Sequence, residues 1–186
     1  MSIEELTKKD NTFTENGFLS KVNNTFIILL SSIMNGEIDN VKHKISKELY
    51  EELKKYVEYL NRNKYVQIFD ELNIRRANIK DIIEQEDYYL IKTLIISRFL
   101  NKIIDKNTKE IIDNANYKIV TLEITFKKNK NVKKELIIKK CSHCGASLNI
   151  SSTGICPYCK NAYDTYNYDW ILTNIEKQSK TQFLWM

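Results

Sequence analysis

The chain has 186 residues and a formal charge of +5, with 42% apolar and 28% charged residues, four glycines and one proline. That length supports one main core plus a small module, and so little Gly and Pro excludes a long disordered or collagen-like segment. A charge this small does not by itself mark a nucleic-acid binder, and four bound thiolates with one Zn²⁺ would bring it to about +3.

Residues 1–12 are polar and read as a flexible N-terminal lead. No apolar stretch follows a basic start there, so no signal peptide is read. The most apolar run, Phe26 to Ile33, is far shorter than the ~20 residues that span a bilayer. Thr14 is placed to cap a helix that runs to about Asn35, with Phe18, Val22, Phe26, Leu29, Leu30 and Ile33 on one face and Gly36 as its stop. A short helical turn follows around Ile38 to Val41. Ser46 then caps a second helix, Lys47 to about Asn61, whose apolar face is Leu49, Leu53, Tyr56, Val57 and Leu60.

From Tyr65 the period changes to strand-like alternation at Val66, Ile68, Leu72 and Ile74. Tyr88 to Ile104 is rich in β-branched and aromatic residues and reads as a long, largely buried strand, with turns at Glu84 to Asp87 and Asp105 to Thr108. A third strand covers about Tyr117 to Lys127, with Val120, Leu122, Ile124 and Phe126 on one side. Lys133 to Lys140 reads as a fourth. Helices first and antiparallel strands after them make an α+β plan, with the helices packed on one face of a curved sheet. Asp169 reads as the cap of a final helix with Trp170, Ile171, Leu172 and Ile175 buried. The expected divisions are thus 1–12, a cone-shaped domain over 13–140, a zinc ribbon over 141–168, and a C-terminal helix and tail over 169–186.

All four cysteines fall in one stretch, as the two knuckles Cys141-x-x-Cys144 and Cys156-x-x-Cys159. Two intervening residues let both sulfurs of a knuckle reach one ion at about 2.3 Å, so the pattern predicts a single structural Zn²⁺ held by Cys141, Cys144, Cys156 and Cys159. Gly145 stands where a positive φ is often needed after a knuckle. Ser151 to Gly154 reads as the tip of the hairpin between the knuckles, and Pro157 stiffens the second one. Four protein ligands close the coordination shell, which points to structure rather than catalysis. A disulfide pair or a redox dithiol is the alternative, and reduced metal-ligand cysteines fit a cytoplasmic chain better. Tyr158, Tyr163, Tyr166, Tyr168 and Trp170 are read as sealing the ribbon against the cone, with base stacking as the other use.

No nucleophile elbow, phosphate loop or zinc-protease motif occurs, and His43 and His143 are the only histidines. The chain is therefore read as non-enzymatic, although a cone-shaped sheet can hold a small-molecule pocket. Lys127, Lys128, Lys130, Lys133, Lys134, Lys139 and Lys140 cluster about the last hairpin. Such a run is usually a solvated edge, and its functional reading is contact with an anionic surface, lipid or phosphate.

The stretch Asp10 to Val22, with Phe13 and Phe18, resembles the opening of bacterial proteins carrying a domain similar to the C-terminal domain of the mitochondrial inner-membrane translocase import-motor subunit. The acidic turn Gly36 to Asp39, the helix start Ser46 to Tyr50 and the strand Leu122 to Lys127 are similar to that family too, which usually carries Trp where Ile124 stands. A subset of it continues into a zinc ribbon that looks like Cys141 to Asn149 and Cys156 to Cys159, and closes with a segment like Tyr168 to Leu172. The resemblance implies a fold similar to the nuclear transport factor two superfamily. It also implies a non-catalytic adaptor role toward a protein partner or an anionic membrane surface, in protein transport. On that reading the chain is cytoplasmic, with peripheral contact at the inner face of a membrane as an option; nucleic-acid binding by the ribbon is the alternative.

Overall fold

In the computed structural model, residues 1–130, 138–140, 144–149, 156, 158–159 and 169–177 are described. The first element is a helix, α1 (Ile3–Lys9), where the sequence suggested a flexible lead. A capping box explains it. The Ser2 hydroxyl accepts from the Glu5 amide at 3.1 Å, and the Glu5 carboxylate accepts from the Ser2 amide at 2.7 Å. Leu6, fully buried, anchors the turn in the core.

Helix α2 (Glu15–Asn35) starts at Thr14, whose hydroxyl accepts from the Gly17 amide, and stops at Gly36 in the left-handed region at φ 71°. The Gly36 and Glu37 amides there satisfy the Ile33 and Ser32 carbonyls. By length and composition α2 could cross a membrane. Here Phe18, Val22, Phe26, Leu29, Leu30 and Ile33 lie in the protein core, as their spacing predicts. A 3-10 segment (Ile38–Lys44) leads to α3 (Lys47–Arg62), capped by the Ser46 hydroxyl.

Three long antiparallel strands follow: β1 (Tyr65–Glu84), β2 (Tyr88–Asp105) and β3 (Ile111–Asn129). The first is twice as long as its alternation suggests. Register shifts between Asp70 and Asn73, Ile74 and Arg76, and Ile79 and Asp81 break the two-residue period, with Glu71 at φ 51°. Along β2 the odd-numbered residues from Tyr89 to Ile103 are buried and the even-numbered ones are half-exposed. All three helices pack on the odd side: Leu6, Val22, Leu53, Ile91, Ile95 and Phe99 belong to one cluster.

The fourth strand of the sheet is not the expected Lys133 to Lys140 segment. Residues 138–140 form β4 (Ile138–Lys140), which pairs with β5 (Ser147–Asn149) in a separate two-stranded sheet. The sheet order is β1-β2-β3-β6, where β6 (Ile171–Lys177) pairs antiparallel with Leu122 to Lys127. The predicted final helix from Asp169 is therefore a strand. Trp170, Ile171, Leu172 and Ile175 are buried as expected, but their spacing fits a helix stripe and a bulged strand equally well. The open edge of β3 decides between them by pairing with the backbone. On its other side β6 touches the entry to α3, where the Ser46 amide donates to the Leu172 carbonyl at 2.8 Å.

Candidate functional site

A groove of about 380 Å³ opens where the α1–α2 loop, the start of α2, the end of β3 and the start of β6 meet. Its floor is aromatic. The Trp170 ring stands edge-on to Phe18 at 5.2 Å and to Phe13 at 6.1 Å, and Phe18 meets Phe126 at 5.6 Å. Such tilted pairs add to the area they bury.

Two lysines flank this floor. Lys21, one turn after Phe18 on α2, forms an ion pair with Asp169, whose other oxygen accepts from the Trp170 amide at 2.7 Å. Lys128, on β3, donates to the Asp10 carboxylate at 2.5 Å and to the Thr12 hydroxyl at 2.8 Å, with its ammonium 5.9 Å from the Trp170 ring centre. Burial raises the Asp10 carboxyl, but the Lys128 and Thr12 hydrogen bonds outweigh it and hold it below its ordinary value. Half-buried Lys44 lies within electrostatic range of both Lys21 and Asp169; burial pushes its ammonium down, as does Lys21. The positive end of the α2 dipole adds to this field.

A second groove of about 430 Å³ lies between the 3-10 segment and α3 and is acidic, with Glu37, Asp39 and Glu58 in its lining. There Tyr50 donates to Asp39 at 2.5 Å, and burial followed by that hydrogen bond pushes the phenol up to about 12. His43 lines neither groove.

Of the predicted metal ligands, Cys144, Cys156 and Cys159 converge, with all three sulfurs within 4.8 Å of one another. Cys141 lies outside the described residues. The Cys144 and Cys156 sulfurs are 3.8 Å apart. Disulfide sulfurs would sit at about 2.05 Å, whereas sulfurs on a tetrahedron of ~2.3 Å bonds lie about 3.8 Å apart. The donor set and this edge length fit Zn²⁺. Locally the fit comes from the pairing of β4 with β5, which brackets Cys144: Lys140 pairs with Ser147, and Gly145 takes φ 71° as its position suggested. Nothing lies within 4 Å of a Cβ placed on Gly145, so the backbone conformation and not crowding calls for glycine there. Cys156 is fully buried and Cys144 exposed. Ser151 to Gly154, Pro157, Tyr163, Tyr166 and Tyr168 lie outside the described residues. Tyr158 is 71% exposed, so it does not seal the ribbon against the cone; Trp170 packs on α2 instead.

The lysine run is dispersed. Lys127 stands 4.1 Å over the Tyr88 ring, Lys128 holds Asp10, and Lys130 holds Glu84 at 2.8 Å while lying 5.0 Å from the Tyr89 ring centre. Lys130 and Lys9 together pull the Glu84 carboxyl down to about 2. Lys139 and Lys140 are in β4, and Lys133 and Lys134 lie outside the described residues. The residues that sequence reasoning missed are Lys21 and Asp169 as a pair. They are 148 positions apart, and no local pattern joins them.

The model of the Tim44-like domain matches residues 1–135. No curated protein matches the chain. Among solved structures, the intermembrane space region of chloroplast protein ARC6 is similar, with a TM-score of 0.51 at 7% identity over 89% of this chain and 96% of that one. At that identity the likeness concerns the fold alone.

Proposed function

The chain belongs to the Tim44-like domain family, and from that premise we propose that it is a non-enzymatic binding module that engages a protein partner in protein transport, with a structural zinc site in its 141–168 segment. The observation that carries the reading is the groove at Trp170. It combines an aromatic floor with two lysines whose counter-charges are the chain's own aspartates. A partner segment that places an apolar side chain against Phe13, Phe18 and Trp170 could exchange its carboxylate for Asp169 on Lys21. The groove's volume falls in the range of about 300–1,000 Å³ of ordinary ligand sites.

Cys144, Cys156 and Cys159, with Cys141 as fourth ligand, would hold the zinc. The ion supplies a cross-link and, with four thiolates around it, no open position for water. The cysteines fix the ribbon between β3 and β6, so that Asp169 and Trp170 enter the groove in one register. The non-enzymatic reading is supported by His43, buried outside both grooves, with burial and then Lys44 pushing it down to about 4, unsuited to proton transfer near neutrality. A protein partner is favoured over an anionic membrane because Lys127, Lys128 and Lys130 are engaged within the chain.

The test is capture of partners on the immobilised chain, with Lys21→Glu and Lys128→Glu as variants, beside co-sedimentation with anionic and neutral vesicles. A specific partner lost from both folded variants supports the groove. Capture indifferent to them, or binding to anionic vesicles alone, sinks this assignment.

A further inference from the structure

We propose that the Lys21 end of the Trp170 groove reads an acidic side chain of the partner, and that Lys44 is the positioning residue that receives Asp169 when the partner's carboxylate takes its place on Lys21. This rests on the groove being the partner site. It names what the partner segment carries: an Asp or Glu beside the apolar residue that meets Phe13, Phe18 and Trp170.

The two lysines of the groove are not equivalent. The Lys128 and Asp10 side chains are only 13% and 11% exposed, and Asp10 is tied further by the Thr12 amide at 3.1 Å and the Thr12 hydroxyl at 2.6 Å. Parting them strands two charges where little water reaches, so this pair is a fixed wall of the groove. Lys21 and Asp169 are 32% and 41% exposed. A pair that open gains little net energy from its contact, so it is the one an incoming carboxylate replaces. The other oxygen of Asp169 accepts from the Trp170 amide, which holds the side chain in the site as it turns away from Lys21.

Lys44 gives Asp169 somewhere to turn. It is the last residue of the 3-10 segment. The isolated parallel bridge between Ile45 and Leu172, with the bond from the Ser46 amide to the Leu172 carbonyl, lays Lys44 alongside Ile171, two residues from Asp169. Lys44 is half-buried, and among the described residues no carboxylate forms an ion pair with it. Burial and then Lys21 disfavour its charge, and Asp169 favours it. That end of the groove therefore holds two positive charges against one negative. A ligand carrying one carboxylate restores the balance: it pairs with Lys21, Asp169 passes to Lys44, and each ammonium has a partner. An uncharged ligand gains the aromatic floor alone, and one with Lys or Arg at that place meets like charge.

The test uses the full, zinc-loaded chain and short acetylated peptides, each with a Phe, Leu or Trp anchor and one Asp or Glu at a varied position, beside the Asn or Gln isosteres. Affinities are read from the fluorescence anisotropy of labelled peptides. The best acidic peptide should bind at least about tenfold tighter than its own isostere. Lys44→Gln should cut that ratio to about threefold or less, and Lys44→Arg should keep it. Lys47→Gln, the same loss of charge at the exposed start of α3, should leave it unchanged. Asp169→Asn still accepts from the Trp170 amide but no longer competes for Lys21, so acidic peptides should bind it tighter than they bind the wild type. If Lys44 and Asp169 only held the fold together, both changes would weaken binding. Acidic and amide peptides that bind alike overturn the inference and leave the aromatic groove as the partner site. An acid preference that survives Lys44→Gln overturns it as well, as does weaker binding of acidic peptides to Asp169→Asn. Failure of every peptide, acidic or amide, sinks the groove reading itself and this inference with it.

Discussion

Trp170→Ala is the perturbation with the sharpest expected consequence. Trp170 is 6% exposed and closes the groove floor against Phe13 and Phe18. Removing a buried indole leaves a cavity, and such truncations cost about 3–5 kcal/mol. Two edge-on ring pairs go with it, each worth about 0.5–1.5 kcal/mol beyond its area, while collapse of Phe13 into the space recovers part. A loss of about 4 kcal/mol is therefore expected, a large share of the ~5–15 kcal/mol of an ordinary domain. With a urea slope of about 2 kcal/mol per molar, the midpoint should drop by about 2 M. The loss should also be local first. Trp170 immediately precedes β6, so hydrogen exchange at the amides of Ile171 to Lys177 should accelerate well before that of β2, which is paired on both sides. Trp170→Phe should restore more than half of both effects. A midpoint shift below about 0.5 M, or exchange in β6 unchanged while β2 loosens, would refute the view that Trp170 pins the fourth strand.

Further outcomes follow from individual groups. Thr93 is fully buried and its hydroxyl has no hydrogen-bond partner among the described residues, so Thr93→Val should be neutral or stabilising by up to about 1 kcal/mol. Ser97→Ala, which loses the bond to the Asn73 carbonyl, should cost about 1 kcal/mol by the same urea measurement. His43, near 4 in the fold and about 6.5 when unfolded, binds its proton more readily in the unfolded chain. Its share of stability is present above pH 6.5 and is lost as pH falls toward 4, by about 2 kcal/mol between pH 7 and pH 5; equal urea midpoints in wild type and His43→Leu across that window would argue against it. For Asp10, whose folded value is depressed, the loss comes lower, as pH falls below about 4, and Asp10→Asn should flatten that limb of the acid unfolding curve. Elemental analysis of reduced protein should find one zinc per chain, and Cys156→Ser should release it; metal-free wild type would remove the centre from this account.

The parts of the fold legible in the sequence are those in which one local rule dominates. Thr14, Gly36 and Ser46 announced the ends of α2 and α3 because capping is decided within four residues. Val120, Leu122, Ile124 and Phe126 announced the buried side of β3 by simple alternation. The bulges of β1 hid its second half, since each inserted residue flips the alternation. Residues 171–177 were misread because nothing local separates their stripe from that of a helix; an edge more than forty positions earlier supplies their hydrogen bonds. The convergence of Cys144, Cys156 and Cys159 was legible because knuckle spacing is local chemistry. The Lys21–Asp169 pair was not, since it joins α2 to a segment 148 positions later.

These misreadings bear on what the ribbon is. The family match ends at residue 135, and the cysteines follow it, so by order alone the ribbon is an appended module. The sheet contradicts that order. Its fourth strand is β6, on the far side of the cysteines, and Trp170 belongs to the same core cluster as Phe13 and Phe126. The cysteine segment is therefore an insertion in the β3–β6 connection, between strands whose paired ends, Lys127 and Ile171, a tight turn could otherwise join. A long, unconstrained connection raises the entropy cost of closing that strand pair. Cross-linking residues within it lowers the cost by restricting the unfolded chain, as any intrachain staple does. Zinc bound at Cys144, Cys156 and Cys159 would thus stabilise the cone at a distance, by shortening the effective path to Asp169. Adding a chelator to wild type should then speed exchange in β6 and weaken the Trp170 contact while β1, β2 and β3 hold. A ribbon that was merely appended would leave β6 unmoved.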